Sequence, residues 1–145
     1  MSEENSDTTS GGVVYCSAEY ANELDTFSKL FDAHPQKMAE AERFAMAIGI
    51  AKNRRKLRKD WKEGKKKRKG TQNLATFQEA GKYNFQILFE MLGLMDESED
   101  VSLTGVISEY ITGGMEWLTE NEMIEGSKFV VLKEEFPDLF SDYEE

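Results

Sequence analysis

Residues 52–69, KNRRKLRKDWKEGKKKRK, cannot belong to a hydrophobic core. Leu57 and Trp61 are their only large apolar side chains, and they hold twelve of the chain's eighteen basic residues. Asp60 and Glu63 are the only acids among them, so the stretch carries 12 − 2 = +10 while the remainder carries 6 − 26 = −20. Like charges packed this densely repel one another, which costs stability. A polyanion relieves that repulsion by supplying phosphates and releasing condensed counterions. The plainer alternatives are a solvated surface loop, or pairing with the chain's own acidic ends.

On either side of this run the apolar residues recur at helical spacing. Residues 1–12 have no apolar side chain after Met1 and read as a disordered acidic tail. Val13–Cys16 is β-prone and long enough for one strand. Ser17 can cap a helix with Glu19 in its first turn and Tyr20, Leu24, Phe27 and Leu30 or Phe31 on one face. Pro35 suits the first turn of a second helix, striped by Met38, Ala41, Phe44, Ala45 and Ile48, with Gly49 a mild weakness. Leu57 and Trp61 are four apart, so the basic run can begin as a helix before Gly64 ends it.

Thr76-Phe-Gln-Glu79 fits a capping box. It predicts a third helix burying Phe77, Ala80, Ile87, Leu88, Met91 and Leu92. Asp96–Asp100 is an acidic loop. Leu103–Leu118 predicts a fourth helix using Val106, Ile107, Tyr110, Ile111 and Trp117, in which Gly113-Gly114 signals a bend, a break or a close helix contact. Thr119–Glu122 suits one further turn, Phe129–Leu132 a strand or a helix start, and the acidic C-terminus carries Phe136, Leu139, Phe140 and Tyr143. The expectation is a mainly α fold: a compact helical domain of about four helices with one or two short strands over 13–145. Its core draws on Tyr20, Leu24, Phe27, Phe44, Ile48, Ile87, Leu88, Ile107 and Trp117.

No reactive constellation stands out. His34 is the only histidine and precedes Pro35 in a turn; acid–base work needs a partner and a pocket. Cys16 is the only cysteine and reads as a small buried apolar residue, so neither a disulfide nor a zinc set is expected. The DESED run lacks the spacing and glycine of a calcium loop, and no glycine-rich phosphate loop is present. No enzymatic activity, metal or cofactor is expected. The polar, acidic start and the lack of a long apolar run suit a soluble cytoplasmic chain.

The order FSKLFDAHPQKM, then AERFAMAIGIAKN, then RRKL, between Tyr20 and Leu57, resembles the Dnd system-associated protein 4 family. Phe44-Ala-Met-Ala-Ile-Gly49 and Asn53-Arg-Arg55 carry the likeness, which extends loosely over residues 13–125. Members are encoded beside DNA phosphorothioate modification and restriction genes. The resemblance implies a setting in DNA modification and antiviral defence, without catalytic residues to transfer. The stretch KLRKDWKEGKKKRKG departs from the family pattern.

These readings converge on an accessory or regulatory protein that contacts nucleic acid, DNA ahead of RNA. The candidate contacts are Lys52, Arg54, Arg55, Lys56, Arg58, Lys59, Lys62, Lys65, Lys66, Lys67, Arg68 and Lys69. A lysine-rich run touches phosphates rather than base edges, so little sequence preference is expected. Trp61 can stack on a base or pack on the core. Two other classes stay open. One is an adaptor whose basic segment and acidic tails bind protein partners. The other is a regulator of the ribbon-helix-helix kind, for which the strand Val13–Cys16 has the right place but no polar side chains to read a groove. No membrane contact is expected.

Overall fold

The structure is a computed structural model and describes residues 12–62, 69–79, 81–95, 102–124 and 134–136. Its elements are strand β1 (Val13–Cys16), helix α1 (Ala21–Ser28), helix α2 (Lys37–Ala51), strand β2 (Lys69–Asn73), helix α3 (Leu74–Phe77), helix α4 (Phe85–Met91) and helix α5 (Leu103–Glu120). The fold is mainly helical with one small sheet, as the apolar periodicity predicts.

The centre is the crossing of α2 and α5, and glycine makes it possible. A Cβ on Gly114 would collide with the Ala45 carbonyl, one on Gly49 with the Tyr110 carbonyl, and one on Gly113 with the Arg54 carbonyl. The two backbones therefore meet without side chains between them, an approach that only glycine permits. The Gly113-Gly114 pair marks a close contact, and α5 runs through it without a break. Because α2 is enclosed on several sides, its buried set extends beyond a single stripe to Glu42, Arg43 and Met46.

Around this crossing the core is aromatic. Phe31 stacks on Phe44 at 4.9 Å, and Phe27 meets Phe31 edge-on. Phe77, Phe85, Phe89 and Tyr110 continue in sequence as neighbouring rings. Leu24, Phe27, Phe44, Ile48 and Ile107 are buried as predicted, and Tyr20 and Trp117 pack half-buried against them.

The sheet is an antiparallel pair across a long separation: Val13 faces Asn73, Val14 faces Gln72 and Cys16 faces Lys69, with an irregularity between Val14 and Cys16. On α5, Ser108 and Thr112 hold β1, accepting from the Tyr15 and Ser17 N–H groups at 3.0 and 3.1 Å. The strand is thus paired inside its own chain and hydrogen-bonded to a helix, so it offers no free ribbon of the ribbon-helix-helix type. Gly12 is buried, with its carbonyl accepting from Leu74 N–H. Gly12, expected at the end of the tail, is thus part of the fold, and residues 1–11 lie outside the described residues.

Three local expectations are corrected. The third helix does not start at a Thr76 capping box. Asn73 caps α3, whose last turn gives way to Glu79 at φ 51°, and Asn84 caps a separate α4. That start puts Phe85 and Phe89 inward, four apart on one face. Ile87 and Leu88 are then 52 % and 38 % exposed, and Met91 and Leu92 78 % and 50 %, so none belongs to the core. Burying two phenyl rings outweighs burying the aliphatic set. The basic run does not continue α2 either: Asn53 at φ 55° ends that helix, and among the described residues of the run a single 3-10 turn, Arg58–Asp60, follows. The sequences expected as an acidic loop at 96–100 and as a strand or helix at 129–132 lie outside the described residues.

Candidate nucleic-acid interface

After α2 the chain lies across α5, where Arg54 N–H bonds the Gly49 carbonyl at 2.7 Å and Lys56 N–H bonds the Glu109 carbonyl at 3.0 Å. This path carries the first cations of the basic run over a row of acids. Glu109, Glu116 and Glu120 are seven and four apart on α5 and so share a face. Arg54 reaches Glu116 at 3.2 Å and Glu120 at 2.7 Å. Arg55 Nε donates to Glu109 at 2.7 Å, and Lys56 lies 2.9 Å from Glu116 and 3.7 Å from Glu19. Arg58 donates its backbone N–H to Glu109 at 3.0 Å and a guanidinium N–H to Tyr15 Oη at 3.1 Å. Lys52 meets Glu135 at 2.7 Å with its ammonium 4.9 Å from the Trp117 ring.

These pairs differ in weight. Arg54–Glu120 is open to solvent and contributes little by itself. Glu109 is buried and satisfies two N–H donors at once, so it matters more. Burial works against the charge on Lys56, but Glu116, Tyr20 and Glu19 outweigh it and hold the ammonium above its ordinary value. Partial burial also opposes the Glu116 charge, yet Lys56 and Arg54 hold that carboxyl below its ordinary range. The Glu116 contribution is therefore present above the unfolded value near 4.5 and is lost as pH falls through the lower folded value. Burial pushes the neighbouring Tyr20 up to about 12.

Trp61 closes the anchored part. Its indole N–H donates to the Lys56 carbonyl at 2.9 Å and its ring meets Tyr15 edge-on, so it packs on the protein rather than standing free to stack. Lys59 and Lys62 are exposed just where this anchoring stops, and the Lys62 N–H bonds Glu19 at 3.1 Å. Of the twelve candidate residues, Lys52, Arg54, Arg55, Lys56 and Arg58 are thus gathered over the protein's own carboxylates. Lys65, Lys66, Lys67 and Arg68 lie outside the described residues, and Lys69 opens β2.

His34, Glu40 and Glu79 bring donor atoms within 4.8 Å of one another. Arg43 already bridges the two carboxylates, donates to the Phe77 carbonyl at 2.9 Å and lies over the Tyr83 ring. His34 Nδ1 accepts the Gln36 N–H, which leaves the proton of a neutral ring on Nε2, the atom facing the acids. A metal ion would have to displace both arrangements, so the cluster reads as an ion-pair brace between α2 and the α3–α4 turn. Cys16 is buried against Thr112, and burial pushes its thiol far up, away from a reactive thiolate.

One buried group escaped the sequence reading. Glu42 is fully buried on α2, and neither carboxyl oxygen accepts a hydrogen bond from a described residue. Gly70 in β2 lies directly against it. Burial pushes its carboxyl well up; Arg43 pulls the other way but is committed to Glu40 and Glu79. An acid with a raised folded value keeps a proton that the unfolded chain releases. Its contribution to stability is therefore complete below about 4.5 and declines as pH rises towards the folded value. Replacing Glu42 by methionine removes both the unmet polar group and this slope. The expected result at neutral pH is a gain of ~1–3 kcal/mol that shrinks on acidification. Urea denaturation of parent and variant across pH 4–8 checks it; equal stability at neutral pH would contradict it.

No family model, curated protein or solved structure matches the chain. Among the described residues, no helix is long and apolar enough to cross a membrane.

Proposed function

We propose that the protein is a non-enzymatic accessory or regulatory component of a DNA-modification or defence system, and that it contacts nucleic-acid backbone through the far half of its basic segment. One observation carries the contact: the run is divided. Its first five cations are matched to Glu19, Glu109, Glu116, Glu120 and Glu135, whereas Lys59 and Lys62 face solvent. From Lys59 to Lys69 the sequence holds seven basic residues and two acids, 7 − 2 = +5. The stretch is held at one end by Trp61 and at the other by the pairing of Lys69 with Cys16. A cationic segment fixed at both ends loses less conformational entropy on meeting a phosphate backbone than a free tail does. The setting rests on the resemblance of residues 20–57 to the Dnd system-associated protein 4 family.

The rest of the chain carries −20, which disfavours loose coating of DNA. An adaptor for an acidic protein partner is the second reading, favoured by the fact that the near half of the run already pairs with carboxylates. Binding to labelled duplex DNA, single-stranded RNA and polyglutamate of matched charge separates the two. The expected order places DNA first, with a log K against log salt slope near −4.5 for ~5 neutralised phosphates. Tighter binding to polyglutamate than to either nucleic acid would transfer the function to the adaptor reading. Turnover of DNA or nucleotide by the pure protein, abolished by one point substitution, would overturn the non-enzymatic reading.

A further inference from the structure

We propose that Glu42 is a proton-operated latch for strand β2: with its carboxyl protonated, β2 lies closed over α2, and with it ionised, β2 lifts away and gives up its hold on the basic segment. The inference concerns how that segment is held and does not rest on what it binds. Glu42 is fully buried, and neither of its oxygens accepts a hydrogen bond from a described residue. Such a site tolerates a neutral carboxyl far better than an anion. Its surroundings offer the anion little. Gly70 covers it from β2, so closely that a Cβ there would stand 2.5 Å from Glu42 Oε2, and Leu24 of α1 lies against the same spot. Cys16 of β1 is near enough to feel the Glu42 charge, and burial keeps its thiol protonated. Arg43 is the one charged group among the described residues that acts on Glu42, and its guanidinium is committed to Glu40, Glu79 and the Phe77 carbonyl.

Ionisation has to open a path to water, and β2 is the wall that yields. Helix α2 is locked to α5 at Gly49 and Gly114, where backbone meets backbone. Strand β1 is tied to α5 through Ser108 and Thr112, and Leu24 belongs to the core. Strand β2, KGTQN, brings no apolar side chain to that core, and its Thr71 and Asn73 are exposed. Its pairing with β1 is short and already irregular between Val14 and Cys16. A segment with so few buried contacts is the first to open locally. Lys69 is the first residue of β2 and the last cation of the basic run, so opening leaves the run anchored only on its Trp61 side. With β2 open, the carboxyl meets water and titrates near its ordinary 4.5; with β2 closed, burial pushes it well up. Closure is therefore strongest below about 4.5 and weakens as pH rises, the open-to-closed ratio growing about tenfold per pH unit until the closed value is passed.

Amide hydrogen exchange of the full chain, read residue by residue by NMR across pH 5–8, tests the latch. Each amide of the parent is compared with the same amide of Glu42→Gln at the same pH, which cancels the intrinsic pH dependence of exchange. Glutamine keeps the size and polarity of the side chain and removes its titration. The expected result is a parent-to-variant ratio of exchange rates at the protected β2 amides that climbs with pH, by up to about tenfold per unit. The amides of α5 around Ile107 and Ile111 exchange far more slowly than those of β2 at every pH, because β2 opens without the core. Glu42→Met, which also lacks a titrating group, gives the same ratio should the glutamine variant fail to fold. A ratio that stays flat across the pH range would overturn the proposal. So would β2 and α5 amides that exchange at one common opening rate, since β2 would then open only when the whole molecule unfolds.

Discussion

Replacing Gly114 by alanine is expected to leave the protein largely unfolded under conditions in which the parent is native. The added methyl would stand within the van der Waals shell of the Ala45 carbonyl and 3.1 Å from the Gly49 nitrogen. These obstacles are backbone atoms of α2, so no rotamer change can clear them, and the two central helices must part. Overpacking that cannot be relieved costs on the order of 4 kcal/mol or more, a large share of a typical domain's stability. Gly93 is the control. Its added Cβ meets nothing within 4 Å, but its φ of 72° disfavours other residues, so Gly93→Ala should cost only about 1 kcal/mol. Circular dichroism and urea denaturation of both variants read the contrast. A Gly114→Ala protein as stable as Gly93→Ala would show that the helices do not cross at bare backbone.

The second large effect is expected at Glu109. Its buried carboxylate accepts from Arg55 Nε at 2.7 Å and Arg58 N–H at 3.0 Å, and its carbonyl takes the Lys56 N–H. Glu109→Ala keeps the carbonyl bond but removes the acceptor of the Arg58 backbone N–H and of the Arg55 Nε–H. The expected cost is ~2–4 kcal/mol, at the lower end of broken buried pairs because Arg55 and Arg58 retain access to water. Glu109→Gln, which keeps an acceptor oxygen, should lose roughly half as much. Glu120→Gln should lose under ~1 kcal/mol, since its pair with Arg54 is open to solvent. Denaturation midpoints compare the three variants. Equal losses at positions 109 and 120 would mean that the carboxylates act by general charge rather than by holding the segment.

Helices α1, α2 and α5 were legible because each repeats its apolar face over two turns or more; Ser17, expected to cap the first helix, caps a 3-10 turn, Ala18–Tyr20, that leads into α1. Strand β2 was not. KGTQN has no alternation, and its conformation comes from pairing with β1 and from lying against Glu42. The α3–α4 region misled because Thr76 and Glu79 imitate a capping box, whereas Glu79 lies beyond α3 at φ 51° with its carboxylate on Arg43. Glu42 was invisible for a related reason: a glutamate next to an arginine reads as a solvated pair, and only an enclosed α2 buries it.

The candidate site was legible as composition and illegible as arrangement. The charge contrast between 52–69 and the rest of the chain was plain, yet nothing local distinguishes Arg54 from Lys65. The distinction arises from acids more than fifty residues away in sequence, brought beneath the near half by the α2–α5 crossing. One signal was present: Glu109, Glu116 and Glu120 keep a single face of a helix that is otherwise largely apolar. That spacing was available to indicate where basic side chains would be anchored.

The division of the basic run into an anchoring half and a binding half is tested most directly by salt-dependent DNA binding of two block variants. In one, Lys65, Lys66, Lys67, Arg68 and Lys69 become glutamine; in the other, Arg54 and Lys56 do. The first should keep the parent's fold, bind duplex DNA far more weakly, and flatten the slope by ~0.9 for each phosphate contact removed. The second should leave the slope within about one unit of the parent's and lower the denaturation midpoint instead. A slope flattened by the Arg54 and Lys56 changes and untouched by the change of five, or no DNA binding by the parent at low salt, would contradict the account.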